Sequence, residues 1–492
     1  MSFRKEDIVL ILPPRRWKDN RYSLGLLYVS ASLRASGFDN IIIERGLFKE
    51  KFKTYDFELV KNLILDKVRE IKPKIVGFTV NVQEFDQIIE LNTLLKKEMN
   101  IVTIVGGPQS TARPSEFLRQ GVDVAVVGEG EATVVELVKM LQYNFEQQKD
   151  FNEIKKQNIE GFKNILGIAY QNLSGEIVIN APRPYIDLTH QVLPVYDKID
   201  VESYVKIADG TVRGLPLRSG IILTSRGCPY DCTFCDCNKV FGQRVRYRGL
   251  TNVRAEVKLL KEKYDVEGIW LADDTFTLNK EHILGVGRIM KEFGIVWSCN
   301  TRVNLLDAEL IQEMKKNGCV QFDIGVESGS PRVLDQVMHK RISLDQIRKA
   351  FALCRKLGMR TLASFMMGLP TETREEMEQT MRLAKEIKAN FYVLSIFTPL
   401  PGSSLFDQYY QHEVTSEDYK NLNFFIGLEK FNKSEVKNLK ELNTKWRKEL
   451  AWLMKKENLN SLWFIAKMFF KLKHKKERIM FFWQKVKRLL IK

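Results

Sequence analysis

The chain has 492 residues, a net charge of +16 and 44% hydrophobic content, enough length for about three domains at roughly 150 residues each. No stretch supplies the ~18 uncharged apolar residues in a row that a spanning helix needs, and the apolar run Ile8 to Leu12 ends at Pro13 and Pro14, too short for a secretory signal, so a cytoplasmic enzyme or binding protein is expected. None of the seven cysteines lies in the first 227 residues and four fall between 228 and 237, a clustering that excludes a spread disulfide framework and points to metal ligation.

From residue 6 to 142 short apolar runs alternate with helical patterns. Predicted strands cover Asp7–Leu12, Asn40–Glu44, Lys74–Val80, Ile101–Gly107 and Val122–Gly128. Helices are predicted near Ser23–Ser36, Phe57–Ile71, Glu84–Lys97, just after Pro114, and over Glu131–Leu141. Five β/α repeats with near-continuous apolar strands predict an α/β fold with a doubly wound, flavodoxin-like parallel sheet over residues 1–145. Such a sheet binds ligands beyond the carboxyl ends of its strands. Those ends carry Asn81, Gly106, Gly107, Gln109, Gly128 and Glu129. Residues 146–214 break the rhythm with a polar stretch, a hairpin signal at Asn172–Gly175 and prolines 182, 184 and 194, and read as a connector.

A second α/β series runs over 215–410. Its six strand candidates begin at Gly220, Gly268, Val296, Gln321, Thr361 and Phe391, and a helical pattern follows each of the first five. Six such strands predict a partial (β/α)6 barrel with its chemistry at the C-terminal strand ends. Residues 411–492 are predicted helical and increasingly basic: Ser461–Lys492 alone hold +9 of the net charge and interleave it with Trp463, Phe464, Phe469, Phe470, Phe481, Phe482 and Trp483. A basic, aromatic, amphipathic helix suits a surface of anionic lipid. Packing on the barrel accounts for it equally well. A nucleic-acid partner is not expected, because this much apolar surface exceeds what phosphate contacts need.

Directly after the first barrel strand comes TSRGCPYDCTFCDCN, with Cys228, Cys232 and Cys235 spaced so that one tight loop can wrap three thiolates around a cluster. A cubane [4Fe–4S] cluster normally takes four cysteines; three leave one iron open. A zinc site is the alternative, but it asks for four protein ligands, and His190 and His282 are distant in sequence. Cys237 follows Cys235 too closely to chelate the same ion comfortably and reads as a bystander.

The segment CPYDCTFC, with Phe234 before the last cysteine, resembles the cluster loop of the radical S-adenosylmethionine superfamily. The resemblance implies that the open iron chelates S-adenosylmethionine and that reductive cleavage yields a 5′-deoxyadenosyl radical, the protein supplying position and insulation. It also implies roles at the other strand ends. Asp273 and Asp274 would contact the cofactor's amino group, Arg302 its carboxylate through a guanidinium fork, Glu327 and Ser328 the ribose, and Met366 and Gly368 the adenine. Each of these taken alone also fits a cap or a salt bridge.

The first domain, through GGPQSTARPSEFL and VDVAVVGEGEATVVEL, resembles the cobalamin-binding domains that precede this barrel in one branch of the superfamily. Gly106, Gly107, Gly128 and Gly130 would let backbone approach the macrocycle, although any doubly wound domain has such turns. All five histidines, 190, 282, 339, 412 and 474, lie outside residues 1–142, so this domain offers no histidine to cobalt. The branch includes methylases, anaerobic tetrapyrrole cyclases and enzymes of hopanoid biosynthesis. The expectation is therefore a cobalamin-dependent radical enzyme that methylates or remodels an unactivated carbon of a hydrophobic, lipid- or tetrapyrrole-like substrate. It would draw electrons from a reductant such as flavodoxin or ferredoxin, with a peripheral contact on the inner face of the membrane through the tail. Cyclisation or rearrangement without methyl transfer, and a non-catalytic cobalamin sensor or scaffold, are the alternatives. Methylthiolation is disfavoured because its family needs three further cysteines in the first domain. No residue is assigned as acid, base or nucleophile.

Overall fold

The computed structural model describes residues 4–14, 21–51, 56–146, 153–154, 159–207, 211–420 and 427–459; the basic tail from Ser461 onward lies outside them. Two compact units divide the chain. The first takes the described residues of Met1–Ser203, Cys235–Arg244 and Leu400–Asn421, the second those of Tyr204–Phe234, Val245–Pro399 and Leu422–Lys492.

In the first unit, β1 (Ile8–Ile11), β2 (Ile41–Ile43), β3 (Ile75–Thr79), β4 (Val102–Gly106) and β5 (Val124–Val126) form a parallel sheet in the order β2-β1-β3-β4-β5. This is the flavodoxin-like order, with its switch point between β1 and β3. The helices Phe57–Ile71 and Phe85–Glu98 bury Val60, Ile64 and Val68, and Ile88, Leu91 and Leu95, in the same core as Val9, Val76 and Val105. Spacing by three or four residues sets each triplet on one helix face, and each side chain contributes about 1.5–3 kcal/mol by leaving water. Asp56 starts the first of these helices, its carboxylate accepting from the Leu59 N–H at 3.1 Å, one of the orphan donors of a helix start.

Two further strands complete this sheet. β6 (Ile168–Gln171) and β7 (Ile177–Ile179) are the arms of the hairpin predicted at Asn172–Gly175, and β6 pairs antiparallel with β5, Val124 opposite Tyr170. Asn172 forms the turn, its side-chain oxygen accepting from the Ser174 and Glu176 N–H groups at 3.0 and 2.9 Å, while Gly175 takes φ +82°. A segment whose composition reads as connector thus extends the sheet, because the outer edge of β5 offers backbone donors and acceptors that need a partner.

The second unit is an open barrel of six parallel strands in chain order: β8 (Ser219–Ile222), β11 (Gly268–Leu271), β12 (Val296–Thr301), β13 (Cys319–Glu327), β14 (Arg360–Met367) and β15 (Phe391–Ile396). The helices Leu250–Tyr264, Lys280–Glu292, Ala308–Lys316, Leu344–Lys356 and Arg374–Ile387 make the crossovers. β8 is shorter than its sequence pattern, because β9 (Ser225–Arg226) leaves the barrel and pairs antiparallel with β10 (Arg246–Tyr247). Val212, Leu215 and Leu217 pack against Val296 and Val320, at the amino-terminal ends of β12 and β13, away from the strand ends where such barrels do their chemistry.

Within the region predicted as a separate helical extension, the described residues hold 3-10 turns at Ser416–Tyr419 and Glu429–Phe431 and one long helix, Leu439–Leu459. That helix packs on β15 and buries Leu442, Trp446 and Leu450, so its apolar face belongs to the second unit's core.

Candidate functional site

The loop that leaves β8 is held at its base by two buried charges. Asp273, fully buried just past β11, accepts from the Thr224 N–H and hydroxyl, both at 2.6 Å, and from the Ser225 hydroxyl at 2.7 Å. Arg248, also buried, donates to the Leu223 carbonyl at 2.7 Å and pairs with the buried carboxylate of Glu256. His282 sits beside Thr224, Nε2 to Oγ1 3.0 Å, and burial together with the nearby Arg248 charge depresses it to about 4, so it is neutral at pH 7. Asp273 goes the other way: burial pushes it up to about 6, against the pull of its three donors.

The sign of that shift gives a prediction. A carboxyl whose pKa is higher folded than unfolded keeps a proton that the unfolded chain loses, so its favourable contribution is full below about pH 4 and fades as pH rises through about 6. Asp273→Asn is neutral at every pH. Its melting temperature relative to wild type should therefore climb between pH 4 and pH 7, and an offset that is the same at both would refute the assignment.

All seven cysteines are free thiols. Cys228, Cys232 and Cys235 are partly exposed, whereas Cys237 is buried in the short helix Cys237–Phe241. A hydrogen-bonding group stands near each of the three sulfurs. In the second unit, the Thr275 hydroxyl lies 3.6 Å from Cys228 Sγ, and Arg302 Nη1 lies 3.5 Å from Cys232 Sγ. In the first, the Cys237 N–H points at Cys235 Sγ from 3.5 Å. Among the described residues no three or more His, Cys, Asp or Glu side chains converge closely enough to hold one metal ion; three thiols with hydrogen-bonding neighbours are a donor set that a larger, multi-iron cluster fits.

The remaining predicted residues of the second unit separate into two groups. Ser328 is buried against Thr380, its hydroxyl 3.2 Å from Thr380 Oγ1, and Asp273 is the bracket described above. Arg302 stacks 3.7 Å over the Tyr230 ring and spends its guanidinium on Cys232, Asn304 and the Lys340 carbonyl. By contrast Asp274 is exposed, and Phe234, Glu327 and Met366 are partly so. Glu327 ends β13 at φ +71°, a left-handed conformation that a non-glycine residue adopts at a cost, and pairs with the buried Lys340 at 3.2 Å. Lys340 also faces the Phe234 ring at 5.8 Å. Gly368 takes φ +83°, and a Cβ there would strike Leu439 Cδ2. Glu372 holds that turn, accepting from the Gly368 and Leu369 N–H groups at 2.7 and 3.1 Å, with burial lifting its carboxyl to about 8. Tyr230, Thr275 and Glu372 lie within the strand-end segments around Cys228, Asp273 and Gly368 but carry no sequence-assigned role, and Lys340 lies outside all of those segments.

Just past β13, Gly329 stands where a side chain has no room. A Cβ there would meet the Gln379 carbonyl oxygen at 2.5 Å and Thr380 Cα at 2.6 Å, both backbone. Backbone cannot swing aside as a side chain can, so Gly329→Ala should cost about 2 kcal/mol or more, read as an earlier unfolding transition in urea. An unchanged midpoint would show that the helix Arg374–Ile387 yields freely.

In the first unit Gly107 takes φ +113°, and its missing Cβ is needed by the chain itself: the Val80 carbonyl oxygen would lie 2.7 Å away. Gln109 and Glu129 are buried and engaged, Gln109 donating to Ser416 Oγ at 2.9 Å and Glu129 accepting from the Ile186 N–H at 2.9 Å. Asn81 is exposed beyond β3, Gly106 is partly exposed, and Gly128, at φ +86°, has nothing within 4 Å of where a Cβ would stand. That open backbone fits close approach by a flat ring. The histidines of this unit, His190 and His412, are both exposed and both outside the strand-end loops.

A family model for the radical SAM superfamily matches residues 222–384, and one for the B12 binding domain matches residues 18–138. An uncharacterized methyltransferase of Pyrococcus horikoshii is 32% identical over 412 residues, covering 81% of this chain and 82% of that protein. The anaerobic magnesium-protoporphyrin IX monomethyl ester cyclase of Rubrivivax gelatinosus is 27% identical, covering 82% of this chain and 69% of that protein. Among solved structures, a radical S-adenosylmethionine methyltransferase from Kitasatospora setae, with cobalamin and a [4Fe–4S] cluster bound, shares the fold at a TM-score of 0.66 and 18% identity, covering 82% of this chain and 78% of that one.

Proposed function

The chain belongs to the radical S-adenosylmethionine superfamily, in the branch that carries a B12-binding domain, and from that premise we propose an enzyme that transfers a methyl group to an unactivated carbon of a hydrophobic substrate. A [4Fe–4S] cluster, S-adenosylmethionine and cobalamin are its cofactors. When bound, they supply a 5′-deoxyadenosyl radical and a transferable methyl group.

Cys228, Cys232 and Cys235 hold the cluster, and the observation that carries this assignment is the hydrogen-bonding group facing each sulfur. Asp274, Glu327, Met366 and Gly368 line the ends of β11, β13 and β14 and bind S-adenosylmethionine, with Phe234 beside them. Asp273, Ser328 and Arg302 act one step back, holding the loops on which those groups stand. Asn81, Gly106 and Gly128 present backbone and one amide to cobalamin, and Gly107, Gln109 and Glu129 keep their loops in place. Residues 1–142 contain no histidine, so this domain would hold cobalamin through backbone and amide groups rather than through an imidazole of its own.

The methyl-transfer reading rests on the relative of 32% identity named a methyltransferase; cyclisation is the second reading, favoured by the cyclase likeness. Anaerobic reconstitution with S-adenosylmethionine, a low-potential reductant and fractionated lipid or tetrapyrrole extracts separates them. Methyl transfer predicts 5′-deoxyadenosine and S-adenosylhomocysteine together. The first without the second favours cyclisation, and neither with an intact cluster favours a sensor.

The hydrophobic substrate and a peripheral membrane contact rest on residues 461–492, known from sequence alone. No helix among the described residues is long and apolar enough to cross a membrane. The full chain should sediment with vesicles containing anionic lipid, and a chain ending at residue 460 should not; equal sedimentation would remove the tail from the argument. A flavodoxin or ferredoxin is the proposed electron donor, and the cytoplasm, including the inner membrane face, the proposed location.

A further inference from the structure

The cysteine loop is tied down in a way that the cofactor chemistry does not account for. Between Cys232 and Phe234, the Thr233 N–H donates to the Met338 carbonyl at 3.1 Å and its hydroxyl to the Val337 carbonyl at 2.6 Å. Asp231 pairs with Arg341 at 2.7 Å. The receiving segment is itself unusual: Val333–Val337 is a π-helical turn, and His339 and Arg341 take left-handed conformations at φ +48° and +53°. Single-turn π segments and left-handed non-glycine residues are costly and persist where surrounding contacts hold them.

Arg302 joins this segment to the sulfur. It is 6% exposed; Nη2 donates to the Lys340 carbonyl, Nε to Asn304 Oδ1 at 3.4 Å and Nη1 to Cys232 Sγ at 3.5 Å, with the Tyr230 ring 3.7 Å beneath. A guanidinium held on three sides and on one face has little freedom left. Its charge and one N–H are presented to a single sulfur in a poorly hydrated place, where such interactions are weakly screened.

We propose that Arg302 is a positioning residue that fixes Cys232 through the Met338–Arg341 segment and raises the reduction potential of the cluster. The inference rests on the assignment of Cys232 as a cluster ligand. A donor and a positive charge at a ligating sulfur stabilise the reduced, more negative cluster over the oxidised one. Removing them makes the cluster harder to reduce.

The test is potentiometric titration of the reconstituted full-length protein with dithionite and mediator dyes, followed by electron paramagnetic resonance, alongside iron analysis. Arg302→Met keeps length and packing but removes charge and donor; Arg302→Gln keeps a neutral donor. At a fixed potential, the Met variant should show about a tenfold lower ratio of reduced to oxidised cluster, about 59 mV for a one-electron couple, with full iron content. The Gln variant should fall between it and wild type. A potential equal to wild type in either variant at full iron content would overturn the proposal. Loss of iron from both, in protein that still melts at the wild-type temperature, would also overturn the tuning and leave Arg302 a structural bolt. Failure of the wild-type protein to reconstitute would instead overturn the cluster assignment itself.

Discussion

Cys232→Ala should reduce 5′-deoxyadenosine formation to the background of protein-free controls, with loss of most reconstituted iron. Removing one of only three thiolate ligands leaves two irons without a protein ligand, counting the one already open, and such a cluster is not expected to survive handling. The same result is expected for Cys228 and Cys235. Cys237→Ala is the control that gives the experiment its meaning. Cys237 is buried within a short helix, and what it offers Cys235 is its backbone N–H, which alanine retains. Its iron content and 5′-deoxyadenosine yield should stay within about twofold of wild type. Equal loss in Cys237→Ala would make it a fourth ligand and move the protein away from radical chemistry, since no iron would remain open.

Glu256→Ala should destabilise the second unit by about 3–5 kcal/mol, the usual cost of stripping a buried charge of its partner. Arg248 and Glu256 are 3% and 0% exposed. The arginine does more than pair: its N–H donates to the Thr224 carbonyl at 2.9 Å and its side chain to the Leu223 carbonyl, the two residues from which the cysteine loop departs. Glu256→Gln keeps an acceptor and should lose clearly less. Chemical denaturation of the iron-free chain gives the magnitude, and a loss below about 1 kcal/mol for the alanine variant would show that Arg248 finds other acceptors. Cluster content in the folded fraction should fall too, because the loop base loosens with the pair.

Much of the architecture was legible in local sequence. The strands of both sheets are marked by apolar runs, and their helices by apolar residues three and four apart, because the sheets are covered on both faces and each helix on one. The hairpin at Asn172–Gly175 was equally visible, since an asparagine that accepts two turn N–H groups and a glycine at positive φ are local requirements. Its addition to β5 was not, because that pairing joins residues more than 40 positions apart. The shortening of β8 escaped for the same reason: Ser225 pairs with Tyr247, a choice no window around residue 225 contains.

What the sequence by itself determined is the spacing of the cysteine loop, three thiols in eight residues, on which the proposed chelation rests, because the reach of one short loop is a matter of distance along the chain. Only the tertiary structure decided what the polar strand ends do. Asp273, Ser328, Gln109 and Glu129 are drawn inward by Thr224, Thr380, Ser416 and Ile186, while Asp274, one residue from Asp273, remains exposed. Lys340 reaches Glu327 across 13 residues, and Arg302 reaches Cys232 across 70. A side chain's residue type states what it can bond to; which partner it meets is set by burial and by elements brought together only when the chain folds, and burial is what makes each partnership obligatory.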